Sequence, residues 1–523
     1  MIARKTFIAK GIMPNTVSGP LAIIDLGAHG VRMDIVQVAK TGAIENLENL
    51  SYPIFLGSDV FRQGKISFQN MQDCANIFSD FARVMKEYGV TQYKAIATSA
   101  VRESSNRDLF INKIKMESGI QLTVLESAEE IKLYFLTVKK AISKKFGLKD
   151  HNAIMCSIGT GSTNLAIIEK GNLRSIHTLK FGTMRLIEEI SPSFNMKLLK
   201  NAIDPAIQSL VDDISTVTPI KKFDLFIVVG ATVRALVNIG RENIGKEDIF
   251  SVSSKKALKI LDNVGDMSPE EMVKTYNISD TIAFGIEPCR NFLTHLLNSV
   301  EYDKLVVPSI NTKQIVLKDF IRSISGRPDN FDKQIISAVK FIGEKYQYNE
   351  KHETAVSNLA VFLFDKLKPL HKLGHKERLY LEIAALLCNI GKFVNFRQHH
   401  KHSYYIIKNS PIAGLSAEEQ NIIAVITRYH RKASPKEYHP EYISLSPEQK
   451  ILVCKLASIL KIADSLERPH TEKINISKVC YDDEKLEIVV SNRSDLSNEL
   501  WMVKSKCGLF TETYGMEIIL TGK

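Results

Sequence analysis

The sequence predicts an α/β protein: two similar α/β units in succession facing a cleft, then a helical domain, then a small C-terminal domain. Three observations predict it. Apolar runs of strand length that end in glycine turns occur twice, beginning near residues 21 and 153. After about residue 322 the strand signals give way to apolar residues recurring at every third and fourth position, the period of a helix packed on one side. Finally, a chain of 523 residues exceeds what one core supports, so roughly three or four domains are expected.

Each element follows from its local pattern. In the first unit LAIID, VRMDIVQV and YKAIATSAV read as strands and FQNMQDCANIFSDFARVMKEYG as a helix. The cycle restarts with AIMCSIG and NLAIIEKGNL, a helical stretch near LKNAIDPAIQSLVDDIS, and the wholly apolar DLFIVVG. A run without polar alternation suits a parallel strand buried on both faces. SISGRPDNFD has the composition of a linker. KFIGEKY, HETAVSNLAVFLFDKL, ERLYLEIAALLCNIGKFV and EEQNIIAVITRYH are helical by period, as is SPEQKILVCKLASILKIADSLE. KINISKVCYDDEKLEIVV and YGMEIILTG alternate as antiparallel strands do. Domains are therefore expected at 1–145, 146–322, 323–440 and 441–523.

Hydrophobic content of 44% with 24% charged residues supplies ample apolar area for real cores and argues against a disordered chain. The first twenty residues lack the continuous apolar stretch of a secretory leader, and no run approaches the ~20 apolar residues that span a bilayer. Seven cysteines without CxxC spacing favour a reduced, cytoplasmic setting over a disulfide frame or a zinc knot. The net charge of +11 is unevenly placed: nine of the thirteen histidines lie at or after His352, and RQHHKHSYYIIK and RYHRKASPK concentrate positive charge. A basic face attracts phosphate polymers; it is equally what a solvated surface presents.

Three loops carry candidate chemistry. In IIDLGAHGVRMDIVQV a strand delivers Asp25 at its end and Gly27 turns the chain. A carboxylate there, beside free backbone amides, suits a hydrated divalent cation and the phosphate it bridges; an ordinary hairpin also presents Asp-x-Gly. In SIGTGSTN, residues 157–164, Gly159 and Gly161 permit close approach, and Ser162 and Thr163 carry hydroxyls for phosphate oxygens. In VVGATVRAL, Gly230 follows a buried strand and a helix starts at once, so amides around Thr232 form an anion site. Each loop read alone is also a plain structural turn. Their joint occurrence, in order and at similar places in two α/β units, is what points to a phosphate.

DLGAHGVR, AIATSAVRESSN, SIGTGSTN, FGTMRL and VVGATVRAL stand in the order and approximate spacing of the exopolyphosphatase/guanosine pentaphosphate phosphohydrolase family, which this chain resembles from about residue 21 to its end. The resemblance implies two actin-like (ribonuclease H-like) domains of the ATPase superfamily flanking a cleft, an all-α HD-like domain, and a small α+β C-terminal domain. It implies Mg²⁺-assisted release of terminal orthophosphate from inorganic polyphosphate or from pppGpp in the cytoplasm. Polyphosphate or guanosine penta- or tetraphosphate is the implied partner; neither membrane nor nucleic acid is expected, and a homodimer is left open. The family's water-activating glutamate, in a motif near SG-x-EEAR, falls on Glu129 of VLESAEEIKLYF, with Glu130 beside it. The competing reading makes Ser127 a helix N-cap and both glutamates partners of the helix dipole. Arg102 falls on a family arginine suited to phosphate, or is a solvent-facing helix-start residue.

The chain also departs from that family. The second loop is typically Asp-x-Gly-Gly-Gly-Ser-Thr-Glu; here Ser157 replaces the aspartate, Thr160 the middle glycine and Asn164 the glutamate, so neither side chain supplies charge or acts as a base near neutral pH. His29, in Ala28-His29-Gly30, replaces a Ser-Asn-Ser-like run and is either a phosphate contact or a turn residue. Cys388-Asn389 stands where an HD phosphohydrolase needs His-Asp, so a metal centre with His352, His430 and Asp464 is not expected. His399, His400, His402, His430 and Arg431 are read as a basic polyanion channel, with a solvated surface as the alternative. Function is thus expected to be exopolyphosphatase-type hydrolysis with Asp25 at the metal and Glu129 and Arg102 catalytic; the alternative is a catalytically degenerate polyphosphate- or (p)ppGpp-binding regulator.

Overall fold

The computed structural model describes residues 19–39, 42–190, 203–205, 207–212, 214, 218, 220–241, 248–265, 267–310, 312–326, 329, 331–467, 474–491 and 496–522. Of the helical stretch expected over 199–215, residues 203–205, 207–212 and 214 are described and helical; the rest lies outside the described residues, as do residues 327, 328 and 330 of the linker-like SISGRPDNFD. The chain forms two compact units, Met1–Phe331 and Asp332–Lys523.

The first unit holds two sheets built to one plan. β1 (Leu21–Leu26), β2 (Val31–Val38), β3 (Ile44–Tyr52), β4 (Gln92–Ala97) and β5 (Leu122–Val124) pair in the order 3-2-1-4-5. β1, β2 and β3 form an antiparallel meander, and β4 joins β1 in parallel. The second sheet repeats this with β6 (Ala153–Ile158), β7 (Thr163–Glu169), β8 (Asn172–Leu179), β9 (Lys222–Val229) and β11 (Glu301–Pro308), ordered 8-7-6-9-11, with the antiparallel edge strand β10 (Ile249–Ser253) added beyond β11. β6 is buried at every residue, as its uninterrupted apolar run requires for a strand covered on both faces. β3 had no strand signal: its sequence IENLENLSY is largely polar and most of its side chains face solvent, with Leu50 packed on the core, because an edge strand needs little apolar area to be held by backbone pairing.

Each sheet is covered by amphipathic helices. Phe78 and Phe81 of the helix Phe68–Glu87 and Phe110 of Arg107–Ser118 pack under the first sheet, and the helix Asp280–Asn298 buries Phe292, Leu293 and Leu296 against the second. The helix Ser127–Ile142 crosses from β5 to the second sheet and touches β6, β7 and β8. The helix Thr312–Ile324 packs on β1 and on Ser127–Ile142. Residue 322, where the change of composition sets a boundary, therefore lies inside a helix of the first unit, and that unit ends at Phe331.

The second unit is a set of helices, Asp332–Lys345, Glu350–Lys366, His375–Leu387, His399–Lys408, Ala417–Arg428 and Pro447–Leu466 among them, followed by a three-stranded sheet. β12 (Asn475–Tyr481) and β13 (Lys485–Ser491) pair antiparallel, but β14 (Glu517–Gly522) joins β13 in parallel. The expectation of an all-antiparallel end is corrected here. The connection contains two helices, Ser497–Lys506 and Gly508–Tyr514, and that much chain returns to the start of the neighbouring strand. Among the described residues no helix is long and apolar enough to cross a membrane.

Candidate active site

The repeated sheet plan brings four strand ends to one cleft. Between β1 and β2 the Gly27 amide donates to the Gly30 carbonyl at 2.9 Å; between β6 and β7 the Gly159 amide donates to the Ser162 carbonyl at 3.0 Å. The two hairpin tips are thus closed by the same bond at equivalent places. β4 leads into Thr98 and Ser99, and β9 into Gly230 and the helix Ala231–Gly240, whose first-turn amides have no partner within the helix. The cleft has a volume of about 240 Å³, and residues from all four corners line it.

Two glycines are required by space. A Cβ on Gly161 would collide with the Ser99 hydroxyl and stand 2.7 Å from Phe61, because the second hairpin tip presses on the other lobe. A Cβ on Gly230 would lie 2.6 Å from the Ile158 carbonyl. Arg185 fixes the same tip: its Nε donates to the Gly161 carbonyl at 2.7 Å and its Nη2 pairs with Glu103 at 2.6 Å.

Asp25, Gly27, Gly159, Gly161, Ser162, Gly230 and Thr232 all line the cleft. Thr163 does not; it begins β7, is fully buried, and its hydroxyl has no hydrogen-bond partner. Glu129 does not line it either. The N-cap of the helix Ser127–Ile142 is Glu126, one residue before the expected Ser127, and Glu129 closes a capping box by accepting from the Glu126 amide at 3.1 Å. Its neighbour Glu130 is the carboxylate that enters the cleft, with 13% of its side chain exposed. Arg102 sits behind Glu130 rather than on the cleft wall. It donates to the Leu125 carbonyl at 2.6 Å and to Ser162 Oγ at 3.4 Å, and lies 3.8 Å from Glu130 Oε2.

The two carboxylates share an electrostatic setting. Burial pushes Glu130 above the usual carboxylate range, opposed by Arg102, reinforced by the charge of Asp25, and opposed by a hydrogen bond from Asn164. Burial also raises Asp25, against the pull of Arg32 and Lys313. Asn164 Nδ2 donates to Glu130 Oε2 at 3.2 Å, and its own Oδ1 accepts from Thr178 at 2.9 Å, which fixes the amide's orientation. Ser157 faces Asn164 across the β6–β7 pairing and is buried. The amide at 164 thus does what a second acid there cannot: it donates to Glu130 and favours the ionised form.

A second chamber of about 380 Å³ shares Asp25, Arg32, Tyr134 and Gly230 with the first and adds Arg234, Asn238 and Lys313 beside Ile278, Ile282 and Ile310. Sequence reasoning missed Arg32, Tyr134, Lys313, Ser279 and Thr281. The last two flank the start of the helix Asp280–Asn298, whose N-cap is Ser279; the Ser-Asp pair was the available signal. The others become visible only on folding: Arg32 pairs directly opposite Asp25, and Tyr134 and Lys313 are brought in by the helices Ser127–Ile142 and Thr312–Ile324.

The polyanion channel in the second unit is corrected. His399 and His430 are buried, their Nε2 atoms 3.3 Å apart and their Nδ1 atoms bonded to the carbonyls of Phe396 and Thr427. Burial pushes His399 down to about 4, and His400 and His430 down to about 3. Three of the five residues are therefore neutral near pH 7 and provide no charge for a polyanion; only the half-buried His402 and Arg431 remain of the set. At the Cys388-Asn389 position both side chains donate to Glu353, at 3.2 and 3.3 Å. Asp464 pairs with Lys506 at 2.7 Å. No group of three or more metal-ligating side chains occurs among the described residues.

Two stretches of the chain match family models: residues 35–241 match the Ppx/GppA phosphatase family, and residues 336–506 match Ppx/GppA phosphatase, domain III. The chain belongs to the Ppx/GppA phosphatase family. Among its relatives, a guanosine-5'-triphosphate,3'-diphosphate pyrophosphatase of Photobacterium profundum is 20% identical over 86% of this chain and 87% of its own length. The protein of the same name in Vibrio atlanticus is 22% identical over 86% and 88%. The exopolyphosphatase structure from Cytophaga hutchinsonii is 22% identical, covers 59% of this chain and 99% of its own, and superposes with a TM-score of 0.49. The two sheets of shared strand order make the first unit a pair of similar α/β domains.

Proposed function

We propose that this chain is a phosphoanhydride hydrolase that releases orthophosphate from the end of inorganic polyphosphate or of pppGpp. One observation carries the reading: two identically closed hairpin tips and two half-buried carboxylates, Asp25 and Glu130, line a single cleft. The curated relatives are named as pyrophosphatases of guanosine-5'-triphosphate,3'-diphosphate. Backbone amides and the hydroxyls of Ser162 and Thr232 hold the terminal phosphoryl group, since phosphoryl transfer depends mainly on positioning and charge stabilisation. Glu130 takes a proton from water as its oxygen attacks the terminal phosphorus; the P–O bond to the next phosphate breaks and the electron pair leaves with that oxygen. Arg102 and Asn164 are positioning residues for Glu130. This replaces Glu129, whose carboxylate is held in the cap, as the base.

The donor set fits a hard divalent cation. Asp25, a half-buried carboxylate on the cleft wall whose pKa burial raises, would hold it together with the substrate phosphate, as Mg²⁺ is commonly held by one or two carboxylates plus substrate phosphate. Such an ion supplies charge neutralisation at the phosphoryl oxygens. We also read residues 332–440 as an HD-like helical domain and 441–523 as a small C-terminal domain; the family's domain III spans 336–506 and supports the start of this region.

Full-length protein incubated with Mg²⁺ and either long-chain polyphosphate or pppGpp should release orthophosphate, and Glu130→Gln should lose about 100-fold or more of the rate. Binding of either substrate with no release at any Mg²⁺ concentration would instead leave the regulator reading.

A further inference from the structure

In the second unit His399 opens the helix His399–Lys408, and His430 follows the end of the helix Ala417–Arg428 that packs against it. Both residues are only 1% exposed. Their rings are fixed in the same way. His399 Nδ1 lies 3.0 Å from the Phe396 carbonyl and His430 Nδ1 2.7 Å from the Thr427 carbonyl, each three residues earlier in the chain. A carbonyl oxygen only accepts, so Nδ1 carries the hydrogen on both rings, and Nε2 carries none while the rings are neutral. These two bare Nε2 atoms stand 3.3 Å apart. Two lone pairs make no hydrogen bond, so the pair is repulsive unless a cation joins the nitrogens, either a shared proton or a metal ion.

The geometry favours the metal. A shared proton makes a charge-assisted bond, which is short, about 2.7–2.9 Å; 3.3 Å is long for it. Tetrahedral zinc with imidazole bonds of about 2.0–2.1 Å sets its ligand nitrogens about 3.3–3.4 Å apart. A ligating histidine also usually donates its other ring N–H to a backbone carbonyl or a carboxylate, which fixes tautomer and orientation. A third imidazole stands alongside: the His400 ring is centred 6.2 Å from that of His399 and 6.5 Å from that of His430, and its Nδ1 is buried without a hydrogen-bond partner. Asp464 is the anion acting on both rings, against the cations Arg431, Lys392 and Lys506.

We propose that His399 and His430 form a metal site of the second unit, binding one Zn²⁺ through their two Nε2 atoms, with water or His400 in the remaining positions. Only two donors converge, in keeping with the absence of a three-residue group among the described residues. With two protein ligands and mostly cationic surroundings, its affinity falls below that of a four-ligand structural zinc site. It is separate from the position of the missing His-Asp pair, where Cys388 and Asn389 donate to Glu353 and Asp464 accepts from Lys506. The proposal does not depend on the hydrolase reading.

Full-length protein stripped by a chelator is titrated with Zn²⁺ by calorimetry and with Co²⁺ by visible absorption, as wild type, His399→Gln, His430→Gln and Asp25→Asn. Wild type should bind Zn²⁺ with a rise in thermal midpoint, and Co²⁺ should give the intense bands of a four-coordinate ion. Each histidine variant should bind Zn²⁺ about ten-fold or more weakly and lose those bands, whereas Asp25→Asn should keep them. No zinc binding by wild type overturns the proposal, as does unchanged affinity in both histidine variants or binding lost in Asp25→Asn alone. Nitrogen NMR of histidine-labelled wild type decides the case without any substitution. Metal-free protein at pH 7 should show both rings protonated at Nδ1 alone, with Zn²⁺ shifting their Nε2 signals. A ring carrying protons on both nitrogens would mean that a proton joins the pair, and the zinc site would be rejected.

Discussion

Glu129 and Glu130 are adjacent, yet the helix start gives them different work. Glu129 is at the third helical position, where a carboxylate reaches back to the N-cap amide; Glu130 is turned a further step around the helix, into the cleft. Glu129→Ala should therefore cost about 1 kcal/mol of stability, read by denaturant titration, and leave kcat within a few-fold of wild type. Loss of turnover in that variant would restore it to the chemistry. The hydrogen bond from Asn164 favours ionised Glu130, so removing it raises the pKa further. The base must be deprotonated to act. The acid limb of the kcat–pH profile should accordingly lie above the ordinary glutamate value and move to still higher pH in Asn164→Ala; a limb that stays fixed would separate Asn164 from the base.

Among the elements, the second hairpin tip is packed by the other lobe as well as by its own sheet. Gly161→Ala introduces a methyl group where Ser99 and Phe61 already stand. Overpacking of this kind costs about 1–3 kcal/mol and should lower kcat/KM for polyphosphate by displacing the tip from the phosphate. Adding Ser99→Gly should recover part of both losses, which a double-mutant comparison of Tm and kcat/KM would read; independent, additive losses would show that the two sites do not touch. The hairpins themselves were legible in the residue order, since a strand, a glycine corner and a returning strand leave little choice locally. The cross-lobe partners of the second corner were not, because Arg102 lies 60 positions from Ser162 in the chain, and Ser99 and Phe61 are equally remote in sequence from Gly161.

For the molecule as a whole, buried titrating groups decide how stability responds to pH. Glu353 is pushed up to about 8, first by burial, despite hydrogen bonds from Cys388 and Asn389. The unfolded chain ionises this group at its ordinary value and the folded chain keeps the proton, so the folded state binds the extra proton from about pH 4.5 to about 8. Its contribution to stability therefore falls as pH rises through that window, by at most about 1.4 kcal/mol per pH unit. His399 and His430 act with the opposite sign below pH 6.5: they are neutral when folded and protonated when unfolded, so they add stability as pH rises toward 6.5. Glu353→Gln, which keeps an acceptor for both donors, should flatten the decline between pH 5 and 8 in denaturant unfolding of the full chain. An unchanged slope would show that Glu353 ionises normally.

What the sequence determined by itself was what depends on near neighbours: apolar runs that must be buried strands, helical period, glycine corners, and a motif order specific enough to mark the family. Those signals act over a few residues, and they gave the paired α/β units and the positions of Asp25, Gly159 and Gly230. Tertiary structure decided which side chains meet. It chose Glu130 over Glu129, set Arg102 behind the cleft, gave Asn164 a carboxylate to hold, and buried His399 and His430 where a basic channel was expected. Charge and exposure are properties of the packed surroundings, and a histidine's composition carries no record of the burial that removes its proton.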